Sequence, residues 1–246
     1  MSAPKYVIAY PFGGRPVPVD WHLAVRSLII PTNACTTEIF RRDKTLEVGQ
    51  TEMAEQALEL GAQYILFIED DTAPPPGVLG ELGRVLDSAD EEIMTCGGIY
   101  TTRCNPPEPI VYLANGQGSH WKWKVGDIFP CFACGMGCTM IRTEIFKIMP
   151  KPWFKTLKTY DEVQEFPELF PHVKPGKHVG ASSDMFFYTK LAYMGFQAYA
   201  HGGVLPVHYE GQIGYWLPKG SYPVQGIKFD GKPYGWVDPK MEVACR

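Results

Sequence analysis

Tyr64-Ile65-Leu66-Phe67-Ile68-Glu69-Asp70-Asp71 decides the fold, because five apolar or aromatic residues run straight into three carboxylates. An apolar run of this length without polar alternation is the pattern of a strand buried on both faces, as in a parallel sheet. In open α/β sheets, ligands bind beyond the carboxyl ends of the strands. Three adjacent like charges at such an end need a counter-ion, and a divalent cation with a phosphorylated ligand would supply it. The plainer reading is a solvated acidic turn ahead of Pro74-Pro75-Pro76.

Outward from this stretch the chain alternates between strand and helix patterns. Tyr6 to Tyr10 predicts a first strand, broken by the Pro11-Phe12-Gly13-Gly14 turn, and Trp21 to Ile30 predicts a helix that stops at Pro31. Leu46 to Leu60 has helical spacing (Met53, Ala54, Ala57, Leu58), ends at Gly61 and feeds the acidic strand. Gly77 to Leu86 predicts a short helix, and Ile93 to Tyr100 a strand interrupted at Gly97-Gly98. This βαβαβ order predicts an α/β fold, doubly wound around a central, mostly parallel sheet.

Beyond residue 100 the pattern loosens. Residues 101–130, rich in Pro, Gly, Asn and Trp, predict a loop excursion or hairpin that carries binding side chains. Arg142 to Met149 predicts a helix with Thr143 as its N-cap. Residues 150–180 hold five prolines and many charges, which predicts a lid rather than core. Ser182 or Ser183 then caps a helix from Asp184 to Met194, ended by Gly195, and the Gly/Pro/Tyr/Trp-rich tail from Gly211 to Arg246 is expected to wrap the surface. With no repeat and no linker, the expectation is one domain over residues 1–246, its core spanning residues 5–210 and residues 211–246 forming an extension.

Composition excludes several classes. A chain of 246 residues with 45% hydrophobic and 20% charged residues is that of an ordinary globular protein, and no apolar stretch approaches the length of a bilayer span. Met1 to Lys5 has no signal-peptide pattern, so a cytoplasmic protein is expected. Net charge is −4, yet residues 120–158 carry seven Lys and Arg against only Asp127 and Glu144, which suits an anionic ligand or balances the acidic first half. Trp121 and Trp123 alternate as on one face of a strand, a candidate stacking platform for a sugar or base. Of seven cysteines, Cys131, Cys134 and Cys138 cluster, but the spacing lacks the paired knuckles of a zinc ribbon and reads as reduced, buried thiols.

In order and spacing, the Pro11 loop, Gly61-Ala62-Gln63-Tyr64 through Asp71, Gly135-Met136-Gly137-Cys138-Thr139-Met140-Ile141-Arg142, Ser183-Asp184-Met185-Phe186-Phe187, Gly195-Phe196 and His208 together resemble a GT-A fold glycosyltransferase. The likeness is to family-2-like enzymes and small phage-encoded relatives, and it covers residues 5–210. It implies a Rossmann-like α/β/α sandwich that moves a sugar from a nucleotide-diphosphate sugar to an acceptor hydroxyl, with Mn²⁺ or Mg²⁺ as cofactor.

The resemblance also implies roles for individual residues. Glu69 and Asp71 stand at the ends of the Asp-x-Asp motif that holds the metal against the diphosphate, Asp71 being the strongest ligand; Glu69 replaces the usual Asp. Asp70 falls to the ribose or to the metal's water shell. His208 completes the metal shell, with His201 as competitor, and an imidazole ligand favours manganese. Asp184 is the base of an inverting reaction, although Ser183 stands where relatives often have Glu. Pro11 and Arg41 fall to the nucleotide, as does Gln50, which occupies a position often basic in relatives. Gly135, Met136 and Gly137 line the donor sugar and acceptor.

The acceptor is a glycan or another hydroxyl compound, or, in a phage-type enzyme working in a host cytoplasm, a hydroxymethylated base in DNA. Two other classes fit less of the sequence. A nucleotidyltransferase also uses paired acids and metals, but Gly13-Gly14-Arg15 is only a faint echo of its glycine-rich loop. The third is a non-catalytic carbohydrate-binding protein on the same scaffold.

Overall fold

A computed structural model describes residues 3–32, 34–42, 44–104, 107–175, 180–211, 213–216, 225–227 and 233–234. The first half runs β1 (Tyr6–Pro11), α1 (Val19–Arg26), β2 (Thr36–Arg41), α2 (Leu46–Glu59), β3 (Tyr64–Ile68), β4 (Thr72–Ala73), α3 (Val78–Ser88) and β5 (Ile93–Gly98). It continues with β6 (Val111–Tyr112), β7 (Ile128–Cys131), β8 (Ala133–Cys134), β9 (Cys138–Arg142), α4 (Ile145–Ile148), α5 (Tyr160–Gln164) and α6 (Ser183–Tyr193). The last strands are β10 (Gln197–His201), β11 (Val207–Glu210), β12 (Ile213–Trp216), β13 (Gln225–Ile227) and β14 (Pro233–Tyr234).

Seven strands form a central sheet in the order β2-β1-β3-β9-β5-β10-β7. β1, β2, β3, β5 and β10 run one way, while β9 and β7 run the other, so the sheet is mostly parallel. Its inner strands β1, β3, β9 and β5 are buried on both faces, and side-chain alternation divides the core in two. Val7, Ala9, Ile65 and Phe67 pack with Met53, Ala54 and Ala57 of α2 and with Phe187 and Leu191 of α6. Tyr6, Ile8, Tyr10, Leu66 and Ile68 pack with Trp21 of α1 and with Val78, Leu79 and Leu82 of α3. Each fully buried Leu, Ile or Phe contributes about 1.5–3 kcal/mol from apolar burial. The result is a Rossmann-like α/β/α arrangement of the GT-A type.

A second sheet, β14-β13-β12-β11-β4, positions the site. Two residues of β4, directly after the acids, pair antiparallel with β11, with His208 opposite Thr72 and Val207 opposite Ala73. The described part of the tail therefore extends this sheet through β12, β13 and β14 instead of simply wrapping the surface. The remainder of the predicted extension lies outside the described residues.

Three local expectations need correction. The first helix ends at Arg26, short of Ile30, where Ser27 N–H still bonds the Leu23 carbonyl before the chain leaves. Arg142 ends strand β9 instead of opening a helix, and only Ile145–Ile148 is helical. Thr143 is not its N-cap, because its hydroxyl donates to the carbonyls of Ala62 and Gln63 and ties β9 to the start of β3. Residues 150–180 are not simply a lid. Trp153 and Phe154 enter the main core, while Leu157, Val163 and Leu169 form a smaller one with Phe186. The capping box between Thr159 and Glu162 starts a short helix that the proline count obscured.

Candidate active site

The acidic triplet lies at the carboxyl end of β3, fastened by its backbone. Glu69 N–H donates to the Gly137 carbonyl at 3.1 Å, and the Glu69 carbonyl accepts from Trp21 Nε1 at 2.7 Å. Tyr209 N–H donates to the Asp71 carbonyl at 2.7 Å, which locks the triplet to β11. The Gly135-Met136-Gly137 turn closes over it, with Gly137 N–H bonded to the Tyr100 hydroxyl at 2.9 Å. A Cβ on Gly135 would collide with the Tyr100 phenol, and one on Gly137 would come within 2.6 Å of Thr72 Oγ1 and 3.2 Å of Glu69 Oε2. Glycine is needed here for close approach. Met136 points into the core, 1% exposed, rather than towards the acids.

The three acids have separate surroundings. Asp70, nearly inaccessible, accepts from Gly13 N–H at 2.6 Å and from Arg15 Nε at 2.9 Å, and so holds the loop after β1. Asp71 takes the Thr72 hydroxyl on Oδ1 at 3.2 Å. Its Oδ2 meets Arg15 NH1 at 2.8 Å, Arg103 NH1 at 3.0 Å and His208 Nε2 at 3.4 Å. Burial works to raise the Asp71 carboxyl, but His208 and the two guanidiniums outweigh it and hold Asp71 below the usual carboxylate range. Part of the Glu69 side chain is accessible, yet its carboxyl lies deep. Desolvation, followed by the charges of Asp71 and Asp184, raises it to about 8 against the opposing pull of Arg15.

His208 is arranged as a ligand would be. Its Nδ1 stands 2.6 Å from the Thr101 carbonyl, which can only accept, so Nδ1 carries a proton and Nε2 faces Asp71. A proton on Nε2, or a metal cation in its place, would join the ring to the carboxylate. A ring whose far N–H is held by a backbone carbonyl is also the usual support of a metal-ligating histidine. Among the described residues, no three acidic, histidine or cysteine side chains are arranged to hold a metal by themselves. Mn²⁺ or Mg²⁺ on few protein ligands, completed by phosphate oxygens and water, nevertheless fits the Asp71–His208 pair. His201 is elsewhere, facing Glu81 at 3.5 Å at the end of β10.

Asp184 lies in the first turn of α6, close enough to the acids for its charge to act on Glu69 and Tyr100. Its Oδ1 accepts from the Ser182 hydroxyl and from Met185 N–H, and Oδ2 has no protein partner among the described residues. A cleft beside the acidic edge is lined by Pro11, Phe12, Arg15, Arg41, Glu69 and Asp70. Within it, the Arg41 guanidinium is already engaged by Glu52, Gln56 and the Phe40 carbonyl. Gln50 sits on the buried face of α2, fully inaccessible, and neither atom of its amide has a partner among the described residues. Residues 121–124 form no strand; Trp123 packs on the core with Gly202 against its ring, and Trp121 is half-buried.

Sequence reasoning missed Tyr100, Thr101 and Arg103 and saw Arg15 only as part of a faint glycine-rich loop. Arg103 and Asp71 are 32 residues apart and His208 and Thr101 are 107 apart, so no local spacing could disclose them. The clustered cysteines are free thiols. Cys131, Cys134 and Cys138 are buried beside the site, with Cys134 Sγ 3.1 Å from the Tyr188 hydroxyl.

No family model matches the sequence, and no curated protein matches it. Among solved structures, A197 from STIV is similar over 88% of this chain and 95% of that one, with a TM-score of 0.57 at 12% identity. A glycosyltransferase involved in the glycosylation of the major capsid of PBCV-1 aligns over 80% of this chain and 94% of that one, with a TM-score of 0.32 at 13% identity. The second superposition is too loose to argue from. The first is a likeness of fold, and it agrees with the mixed α/β, mostly parallel architecture.

Proposed function

We propose that the protein is a metal-dependent glycosyltransferase that moves a sugar from a nucleotide-diphosphate sugar to an acceptor hydroxyl with inversion. The observation that carries this reading is His208 Nε2 directed at Asp71 Oδ2, 3.4 Å away, at the strand end beside the Pro11–Arg15 cleft. Asp71 and His208 would hold Mn²⁺ or Mg²⁺, with Glu69 alongside. When bound, the cation would neutralise charge developing on the departing diphosphate.

The remaining work falls to the chain's own groups. The Pro11–Gly13 loop, held by Asp70, would seat the nucleotide. Asp184 would accept the acceptor's proton on Oδ2, its other oxygen being fixed by Ser182 and the Met185 amide. Gly135 and Gly137 would let the sugar lie close to backbone. The acceptor is a glycan or other hydroxyl compound, or a hydroxymethylated base in DNA, and comparing label transfer to hydroxymethylated and unmodified duplex separates the last from the rest.

The test is a nucleotide-release assay with Mn²⁺ across sugar nucleotides. Release from one donor, stimulated by an acceptor and lost in Asp184→Asn, is expected. Absence of release from every donor, with and without acceptor mixtures, would overturn the reading. Release of pyrophosphate from a nucleoside triphosphate would point to a nucleotidyltransferase instead.

A further inference from the structure

Two arginines crowd one buried oxygen. Arg15 arrives from the loop after β1 and Arg103 from the segment after Thr101, and both place NH1 on Asp71 Oδ2, at 2.8 and 3.0 Å. Asp71 is 5% exposed at its side chain, whereas Arg15 and Arg103 are 44% and 38% exposed, so the guanidiniums reach inward from solvent. Arg15 bridges Asp70 and Asp71, yet both guanidiniums converge on the one oxygen Asp71 Oδ2. Arg103 uses a single N–H on Asp71 and has no other partner among the described residues. Arg15 spends Nε on Asp70, and its NH2 has no partner among the described residues.

That same oxygen is the one His208 Nε2 faces. A divalent cation and two guanidiniums cannot share it, because like charges at contact distance repel strongly away from bulk water. Nor can the guanidiniums leave a buried carboxylate without another cation arriving. Resting on the metal–diphosphate reading above, we propose that Arg15 and Arg103 are exchangeable counter-ions. They hold Asp71 until the divalent cation takes it with His208, and then carry the donor's two phosphates. Guanidinium forks match phosphate oxygens better than a point charge does, and the released pair stands on the solvent side of the cation site, where an entering diphosphate needs donors. Metal and diphosphate thereby bind as a coupled pair.

The exchange predicts effects of opposite sign, which a purely structural role for the arginines would not give. Manganese binding, followed by the paramagnetic signal of free Mn²⁺, should tighten severalfold in Arg103→Gln without nucleotide, because a competitor is gone. Inorganic pyrophosphate binding at saturating Mn²⁺ should weaken about 10-fold or more, the loss expected for a charged hydrogen bond. Arg15→Gln should act in the same directions, and Arg103→Lys, which keeps the charge without the fork, should fall between wild type and Arg103→Gln. If both affinities fall together, or Mn²⁺ affinity is unchanged, in variants whose melting temperature matches wild type, the exchange is wrong. Opposite shifts without transfer from any sugar nucleotide would keep the exchange and remove the transferase reading. Transfer without opposite shifts would do the reverse.

Discussion

Two histidines stand against carboxylates towards the carboxyl-terminal side of the large sheet, and their Nδ1 atoms meet backbone groups of opposite kind. His201 accepts the Gly203 N–H on Nδ1 at 3.0 Å, so its neutral ring carries the proton on Nε2, facing Glu81 at 3.5 Å. Burial lowers its pKa and keeps it neutral. Glu81 is half-exposed and paired with Arg84 at 2.7 Å. That group is satisfied as it stands. His208 instead donates its Nδ1 proton to Thr101 and turns Nε2 on Asp71, which is almost fully buried. The same residue types thus fix an N–H towards the carboxylate at β10 and leave at β11 a ring nitrogen that a proton or a cation can occupy, and which backbone atom meets Nδ1 decides between them.

The largest effect separating the two regions should come from the residue opposite the acids. Asp184→Asn is expected to lower transfer by about 10²–10⁴-fold while leaving donor affinity nearly intact; equal losses in both would mean that Asp184 shapes the donor site instead. The histidine pair tests the comparison itself. By titration, His208→Asn should weaken Mn²⁺ binding by at least the roughly 10–100-fold typical of a disturbed ligand shell, and His201→Asn should leave it unchanged. Similar losses in both variants would break the contrast.

Smaller effects fall on the scaffold. Gly135→Ala should lose about 1–3 kcal/mol of stability in urea unfolding, because its methyl has no room beside Tyr100. Gly118→Ala, with nothing within 4 Å of the added carbon, should be neutral or slightly stabilising. At the opposite end of β3, Lys5 and the Tyr64 hydroxyl hold Asp87 at 2.7 and 2.8 Å. Although partial burial opposes it, the Lys5 and Tyr64 hydrogen bonds depress its pKa. A depressed carboxylate stabilises the fold above its unfolded pKa, near about 3.9, and loses that contribution as pH falls through the folded value. Asp87→Asn should therefore cost up to about 1 kcal/mol at neutral pH, and its stability curve should converge with wild type in stronger acid.

The fold was legible where burial writes itself as composition. Tyr64–Ile68 is apolar throughout because both faces are covered, and α2 matches its sequence bounds to within a residue. β2 was not seen, because Thr36–Arg41 is an edge strand with one buried residue and carries little hydrophobic signal. β9 was hidden by its direction: an antiparallel strand inserted between β3 and β5 has no crossover helix to announce it. In the site, the acids and His208 could be read, but their partners could not. Arg15 lies 55 residues from Asp70, and Arg103 enters from another loop, so only the folded chain brings their charges to one edge.

The most direct measurement is the melting temperature of wild type and Asp71→Asn with Mn²⁺ and uridine or guanosine diphosphate, added singly and together. A ligand that binds only the folded state raises the melting temperature with its concentration relative to Kd. Wild type should shift most with metal and one of the nucleotides together, and Asp71→Asn should lose that combined shift. A combined shift that survives Asp71→Asn, or no shift in wild type with either nucleotide, would contradict a metal–diphosphate site at the end of β3.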